Sequence, residues 1–298
     1  MKKVYLGIII SFLAVSGHAQ LNGNYVIGGS NPDYTTIQNA FDDLETQGVS
    51  GPTTFNIRSG TYNEELTLQT ISGTSPSNLV VFQSEAMNSA SVEVSYAPTA
   101  YADQEVMSLD SVSNVHFKHL SFNETGSTYS SSSVVHFINE CYNIQMLNCE
   151  FTGVNNGSIY SPQGAYHEDI IISNCVINGG KYGVNFRNDG TSKPEGSGVE
   201  ILDCEFIDQR TYAINLINHV DFVIARNTIT NPLATGPTLI GIYLGNIEDG
   251  GLVYNNIIKI TGKTGIGLSN FDNSVSTRAK IYNNYVYLDG SYSGASGL

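Results

Sequence analysis

One recurring polar position constrains this chain more than any other feature. It reads His119, Asn148, Asn174, Asp203, Arg226, Asn255 and Asn283, at spacings of 29, 26, 29, 23, 29 and 28 residues. Each copy around it runs apolar, any, apolar, any, polar, small, any, apolar, as in Ile144, Met146, Asn148, Cys149 and Phe151. Alternation of period two marks a strand, and a repeat of this length marks a solenoid. The polar residue breaks the alternation, so the chain must bend there for Phe151 to point inward as Met146 does.

The position after the bend is a column of its own: Leu120, Cys149, Cys175, Cys204, Asn227, Asn256 and Asn284. Asparagines stacked at the strand spacing of about 4.8 Å can hydrogen-bond along the axis, so a buried amide there is satisfied. The cysteines of the column are expected reduced, because parallel in-register side chains miss the disulfide dihedral. A second strand recurs between copies, in Val135–Phe137, Gly183–Phe186, Ala213–Leu216, Gly241–Leu244 and Gly265–Leu268. Its turn carries Asn139, Gln163, Asn188, Asn218, Asn246 and Asn270. Two strands and two polar corners in a fixed order mean coils that stack and pair in parallel. A third strand per coil is less legible. Upstream, Ile37, Ala40, Phe41 and Leu44 fall at helical spacing within Asp33–Gly48, with Thr35 and Gln38 as a capping box. This helix is expected to plug the open end of the solenoid, whose coils begin near Thr54. The fold class is all-β: a right-handed parallel β-helix with an N-terminal capping α-helix.

At the N-terminus, Lys2 and Lys3 precede an apolar run from Val4 to Val15 and then Gly17-His18-Ala19. That is the pattern of a signal peptide cut after Ala19, and no run approaches the roughly 20 apolar residues of a spanning helix. The expected organisation is a signal peptide at 1–19, a capping segment at 20–52 and the β-helix at 53–298, located outside the cell or on its surface. The final residues, Ser293 to Leu298, resemble the lead-in to another strand, so a longer gene product is expected. Thirteen basic against twenty-seven acidic residues give a formal charge of −14, which disfavours nucleic acid and anionic lipid as partners.

From Tyr34 onward the chain resembles the pectate-lyase-like family of parallel β-helix repeat proteins. The opening Tyr34-Thr35-Thr36-Ile37-Gln38-Asn39-Ala40, then Phe55-Asn56-Ile57-Arg58-Ser59-Gly60-Thr61-Tyr62-Asn63-Glu64, is also similar to the start of pectin methylesterases. That segment speaks for fold, with Gly60 in a turn, Tyr62 packed and Glu64 entering the next strand. The resemblance implies catalytic patterns that this chain does not carry. Asp221-Phe222-Val223-Ile224-Ala225 looks like an esterase nucleophile segment but coincides with an ordinary repeat strand. Of the Asn-Thr-Asp, Asp-Asp and Gly-His-Gly patterns of polygalacturonase-like hydrolases only an Asp-Asp pair occurs, Asp42-Asp43 in the expected cap helix, and the Arg-x-Pro-x-x-Arg of pectate lyases does not occur. Lys181 and Arg187 share one coil, with His136 and His167 on neighbouring ones, but Lys181 and Arg187 read as solvated, His116 as turned outward from a strand and His119 as a corner residue. Asp42-Asp43-Glu45 reads as the wet face of the cap helix, so no metal or cofactor is expected.

What remains is a surface. Outward positions of the second recurring strand align as His136, Tyr160, Asn185, Asn215, Tyr243 and Gly267, with Arg187 one step along its coil. Rings and amides on a flat ladder suit sugars. The candidate ligand face is therefore His136, Tyr160, Asn185, Arg187, Asn215 and Tyr243, beside the loop holding Lys193, Pro194 and Glu195. The expected partner is a neutral or cation-bridged polysaccharide. The leading function is a polysaccharide-binding module; a polysaccharide lyase or glycoside hydrolase, and an adhesin or structural stalk, are the alternatives.

Overall fold

The computed structural model describes residues 19–98, 105–126, 131–188, 196–231, 238–247, 250–261, 264–271 and 279–289. The signal-peptide segment before Ala19, the loop with Lys193, Pro194 and Glu195, and the terminal Ser293 to Leu298 lie outside them. Among the described residues, successive coils feed three parallel sheets of twelve, nine and eight strands. One coil shows the order: Ser113–Lys118 in the first sheet, Ser121–Glu124 in the second, Ser133–Ile138 in the third. Glu140–Leu147 then returns to pair in parallel with Ser113–Lys118. The elusive third strand is thus the far half of the repeat motif, which the bend splits between two sheets.

That bend has a backbone cause. His119, Asn148, Asn174, Asp203, Arg226, Asn255 and Asn283 all have φ between 54° and 58°. This left-handed region suits Asn and Asp, whose short polar side chains tolerate it better than other L residues do. A left-handed residue at this corner lets the strands on both sides of it keep their apolar side chains inward.

Inside, aromatic side chains stack along the axis: Phe55 on Phe82 at 4.6 Å, Phe82 on Phe117 at 5.8 Å, Phe122 on Phe151 at 5.5 Å. All are fully buried, and each contributes about 1.5–3 kcal/mol of apolar burial. The four cysteines are free and buried. From Cys149 to Asn256 in the column that holds three of them, the backbone N–H of each residue donates to the side chain of the next rung. Cys149 donates to Cys175 Sγ, Cys175 to Cys204 Sγ, Cys204 to Asn227 Oδ1, Asn227 to Asn256 Oδ1 and Asn256 to Asn284 Oδ1.

The helix α1 spans Ile37–Gln47 and buries Ile37, Ala40, Phe41 and Leu44, with Phe41 edge-on to Phe82 at 4.9 Å. Its N-cap is Thr36, which accepts from Asn39 N, so the expected Thr35–Gln38 box does not form. Gln38 instead exchanges bonds with the backbone of Thr67. Glu64 departs from its expected role as a strand residue: its carboxylate accepts from Ile37 N and Gln38 N at 3.2 and 3.0 Å. A negative group at a helix N-terminus satisfies orphan donors and opposes the dipole favourably. The wet-face reading of the helix acids holds only for exposed Asp42. Asp43 accepts from Tyr34 Oη and Glu45 from Gln69 N, and both dock the cap. The parallel ladder also starts earlier than Thr54, since Leu21–Ile27 pairs with Val49–Ile57. No helix among the described residues is long and apolar enough to cross a membrane.

Candidate functional site

The predicted face lies on the third sheet. Its strands Ser133–Ile138, Gly157–Ser161, Tyr182–Arg187, Tyr212–Ile217 and Thr238–Gly245 are consecutive neighbours. Their register aligns His136 with Tyr160, Tyr160 with Asn185, Asn185 with Asn215 and Asn215 with Tyr243. The column also runs back through Ser108 to Thr67. Its next member is Ser269, where the sequence alignment placed Gly267. The alignment slid by two residues, a shift that preserves the period-two parity of the sequence pattern. The same slip removes Asn270 from the corner column, since it pairs with Leu244.

Within this column the side chains differ in surroundings. Asn185 and Asn215 are only 2% and 4% exposed although their strand neighbours Val184, Phe186, Ile214 and Leu216 fill the core. Asn215 Nδ2 donates to Asn185 Oδ1 at 2.6 Å, while Asn215 Oδ1 is buried with no partner. His136 Nδ1 lies 2.7 Å from Glu105 Oε1, and its Nε2 is likewise buried without a partner. The His136 and Tyr160 rings tilt together at 5.4 Å. Arg187 is exposed at the end of its strand, in register with Ile217.

Two tyrosines flank the amides. Tyr182 and Tyr212 stack at 5.6 Å with planes 8° apart, and Tyr212 meets Tyr243 at 5.3 Å. Burial raises the pKa of Tyr160 and Tyr212, while the nearby charges of Arg187 and Lys181 pull each back down. Lys181 Nζ sits 5.0 Å from the centre of the Tyr182 ring, a cation–π arrangement. Sequence reading missed Tyr182, Tyr212 and Glu105. The first two had a signal, since Lys181-Tyr182-Gly183 and Thr211-Tyr212-Ala213 place a tyrosine just before a small residue at the same strand start.

The other sequence candidates go to structural places. His119 occupies a left-handed corner, and Asp221, with φ of 48°, holds another turn. His116 is buried on the first sheet, and burial lowers its pKa. His167 is buried with Nε2 2.5 Å from Ser161 Oγ, between the rings of Phe137 and Phe186. Among the described residues no three His, Cys, Asp or Glu side chains converge as a metal site. Two adjoining hollows of about 400 and 440 Å³ lie away from Tyr182 and Tyr212, at the corner after the third sheet; they share Ser111 and Asn139, and Tyr142 lines the second.

Residues 162–296 match the family model of the right handed beta helix region. The fold is a right-handed parallel β-helix. Solved structures of similar β-helix architecture include the pectin methylesterase of Aspergillus niger, 13% identical with a TM-score of 0.55, covering 92% of this chain and 88% of that one. The rice weevil pectin methyl esterase is 14% identical, with a TM-score of 0.55 and coverage of 96% and 92%. The pectate lyase Pel9A is 10% identical, with a TM-score of 0.57 and coverage of 93% and 80%. At these identities the likeness is one of fold. No curated protein matches the sequence.

Proposed function

We propose that this β-helix is an exported polysaccharide-binding module whose ligand lies along the third sheet. The observation that carries the reading is the register of His136, Tyr160, Asn185, Asn215 and Tyr243 with the stacked Tyr182 and Tyr212 beside it. Tyrosine offers a broad apolar body with a polar tip, the combination that stacks on a sugar ring and bonds its rim. Amides supply donors and acceptors in one plane. Successive rungs about 4.8 Å apart repeat this along the axis, a spacing a linear polymer can follow. The kinship of fold with proteins named for action on pectin supports a carbohydrate ligand.

The purified chain is expected to retain a subset of oligosaccharides on a glycan array, and Tyr182→Ala with Tyr212→Ala to weaken that retention at least about tenfold. Retention unchanged in the double variant would move the ligand elsewhere, and no retained glycan at all would end the proposal.

A second reading, a polysaccharide lyase, draws on one feature: the Glu105 carboxylate orients the His136 imidazole with its other nitrogen unpartnered. A base held this way is what proton abstraction requires. Its sign is growth of unsaturated-uronate absorbance on incubation with a polyuronate, lost in His136→Ala.

A further inference from the structure

We propose that Asn215 is the centre of a subsite that seats an uncharged sugar residue by accepting a hydrogen bond from one of its hydroxyls. This rests on the binding face just described and adds the chemistry of the ligand at one rung. The inner asparagine column shows how this protein completes an amide ladder. Asn256 Oδ1 takes both Asn227 N and Nδ2, and Asn284 Oδ1 takes both Asn256 N and Nδ2. Each Nδ2 there also reaches a backbone carbonyl. Outside, the ladder stops after two members. Asn215 spends Nδ2 on Asn185 and leaves Oδ1 buried with nothing to accept from.

An orphaned buried acceptor is unfavourable unless something fills it part of the time. A carbonyl oxygen has lone pairs and no proton, so only a donor can complete it. A sugar hydroxyl is such a donor. The exocyclic hydroxyl of a neutral hexose is the one that a uronic residue lacks, and the carboxylate in its place has no proton to give, so a subsite that takes this hydroxyl would set two acceptors against each other in a uronic oligomer. The next rung carries Tyr243, half-buried and 5.3 Å from Tyr212. For a hydroxyl to reach the buried carbonyl, the Tyr243 side chain on the adjoining rung would have to turn aside, leaving Tyr212 and Tyr182 as the stacking wall. Lys181 is engaged over the Tyr182 ring and Arg187 stands one outward position beyond Asn185, so both cations act at the rim, where they donate to hydroxyl oxygens.

The test uses titration calorimetry of the whole chain with neutral gluco-, manno- and galacto-oligosaccharides, and with the uronic acid oligomers of the same sugars. The wild type is expected to bind a neutral oligomer at least about tenfold more tightly than its uronic counterpart, and Asn215→Leu to lose about tenfold of that affinity. A thermal melt establishes that the variant is folded. Preference of the wild type for the uronic oligomer overturns the subsite while leaving the binding face intact, and so does undiminished neutral-sugar affinity in folded Asn215→Leu. If no oligosaccharide binds the wild type, face and subsite fall together.

Discussion

At the residue scale, the fold depends on a few side chains placed where the backbone or the cap makes unusual demands. The left-handed corners accept His119 and Arg226 as well as asparagine, and Arg226 gains a bidentate pair with Asp203 at 2.7 Å on each arm. That guanidinium holds the Asp203 carboxyl below its usual range, though an exposed pair stabilises little. His219 is different. It is fully buried, Nδ1 is 2.9 Å from Ile217 O, and Nε2 has no partner. A Cβ on Gly196 would meet its ring at 2.8 Å, which is why glycine stands there. Burial lowers its pKa from 6.5 to about 4. The folded state therefore binds this proton less readily than the unfolded chain. The stability it confers is fully present above pH 6.5 and is lost as pH falls from there toward 4, by up to roughly 3 kcal/mol. Urea unfolding at pH 7 and pH 5 should show the wild type losing more stability on acidification than His219→Leu. Equal losses in the two proteins would show that the imidazole is not the group responsible.

At the element scale, the strands and their inner ladder were the legible part of the sequence. Period-two alternation broken by one polar residue located the corners, and the inner column read from Leu120 to Asn284 is the column that the hydrogen bonds trace from Cys149 onward. Legibility failed where parity carries no information, as in the two-residue slip at Thr264–Phe271, and where a contact spans distant segments. The Glu64 cap lies 26 and 27 residues from its partners, so nothing local announces it. For the candidate face, the column could be read because register follows from the repeat. The burial of Asn185 and Asn215 could not, since strand alternation places both on the outward side and says nothing of what covers them. The ladder itself makes a prediction. Asn256→Leu removes the acceptor for Asn227 and the Nδ2 donor to Asn284 Oδ1 and Ile224 O, while the backbone N–H at 256 can still donate to Asn284 Oδ1. It should cost on the order of 1–3 kcal/mol, visible as a lower midpoint in thermal or urea unfolding. An unchanged midpoint would mean the amides are not coupled along the axis.

At the scale of the whole molecule, stacking coils in one register turns single positions into columns. The same geometry that sums small apolar contacts into a continuous core lays out tyrosines and amides in rows on the outside. A chain with a formal charge of −14 keeps Lys181 and Arg187 close to those tyrosines, which fits a face that meets hydroxyl-rich polymers. The most direct measurement is side-chain amide NMR with asparagine-labelled protein during titration with an oligosaccharide retained on the array. The Nδ2 resonances of Asn185 and Asn215 are expected to shift with saturation while those of Asn227 and Asn256, sealed inside the solenoid, stay fixed. Saturable binding that leaves Asn185 and Asn215 unmoved would contradict the proposed face.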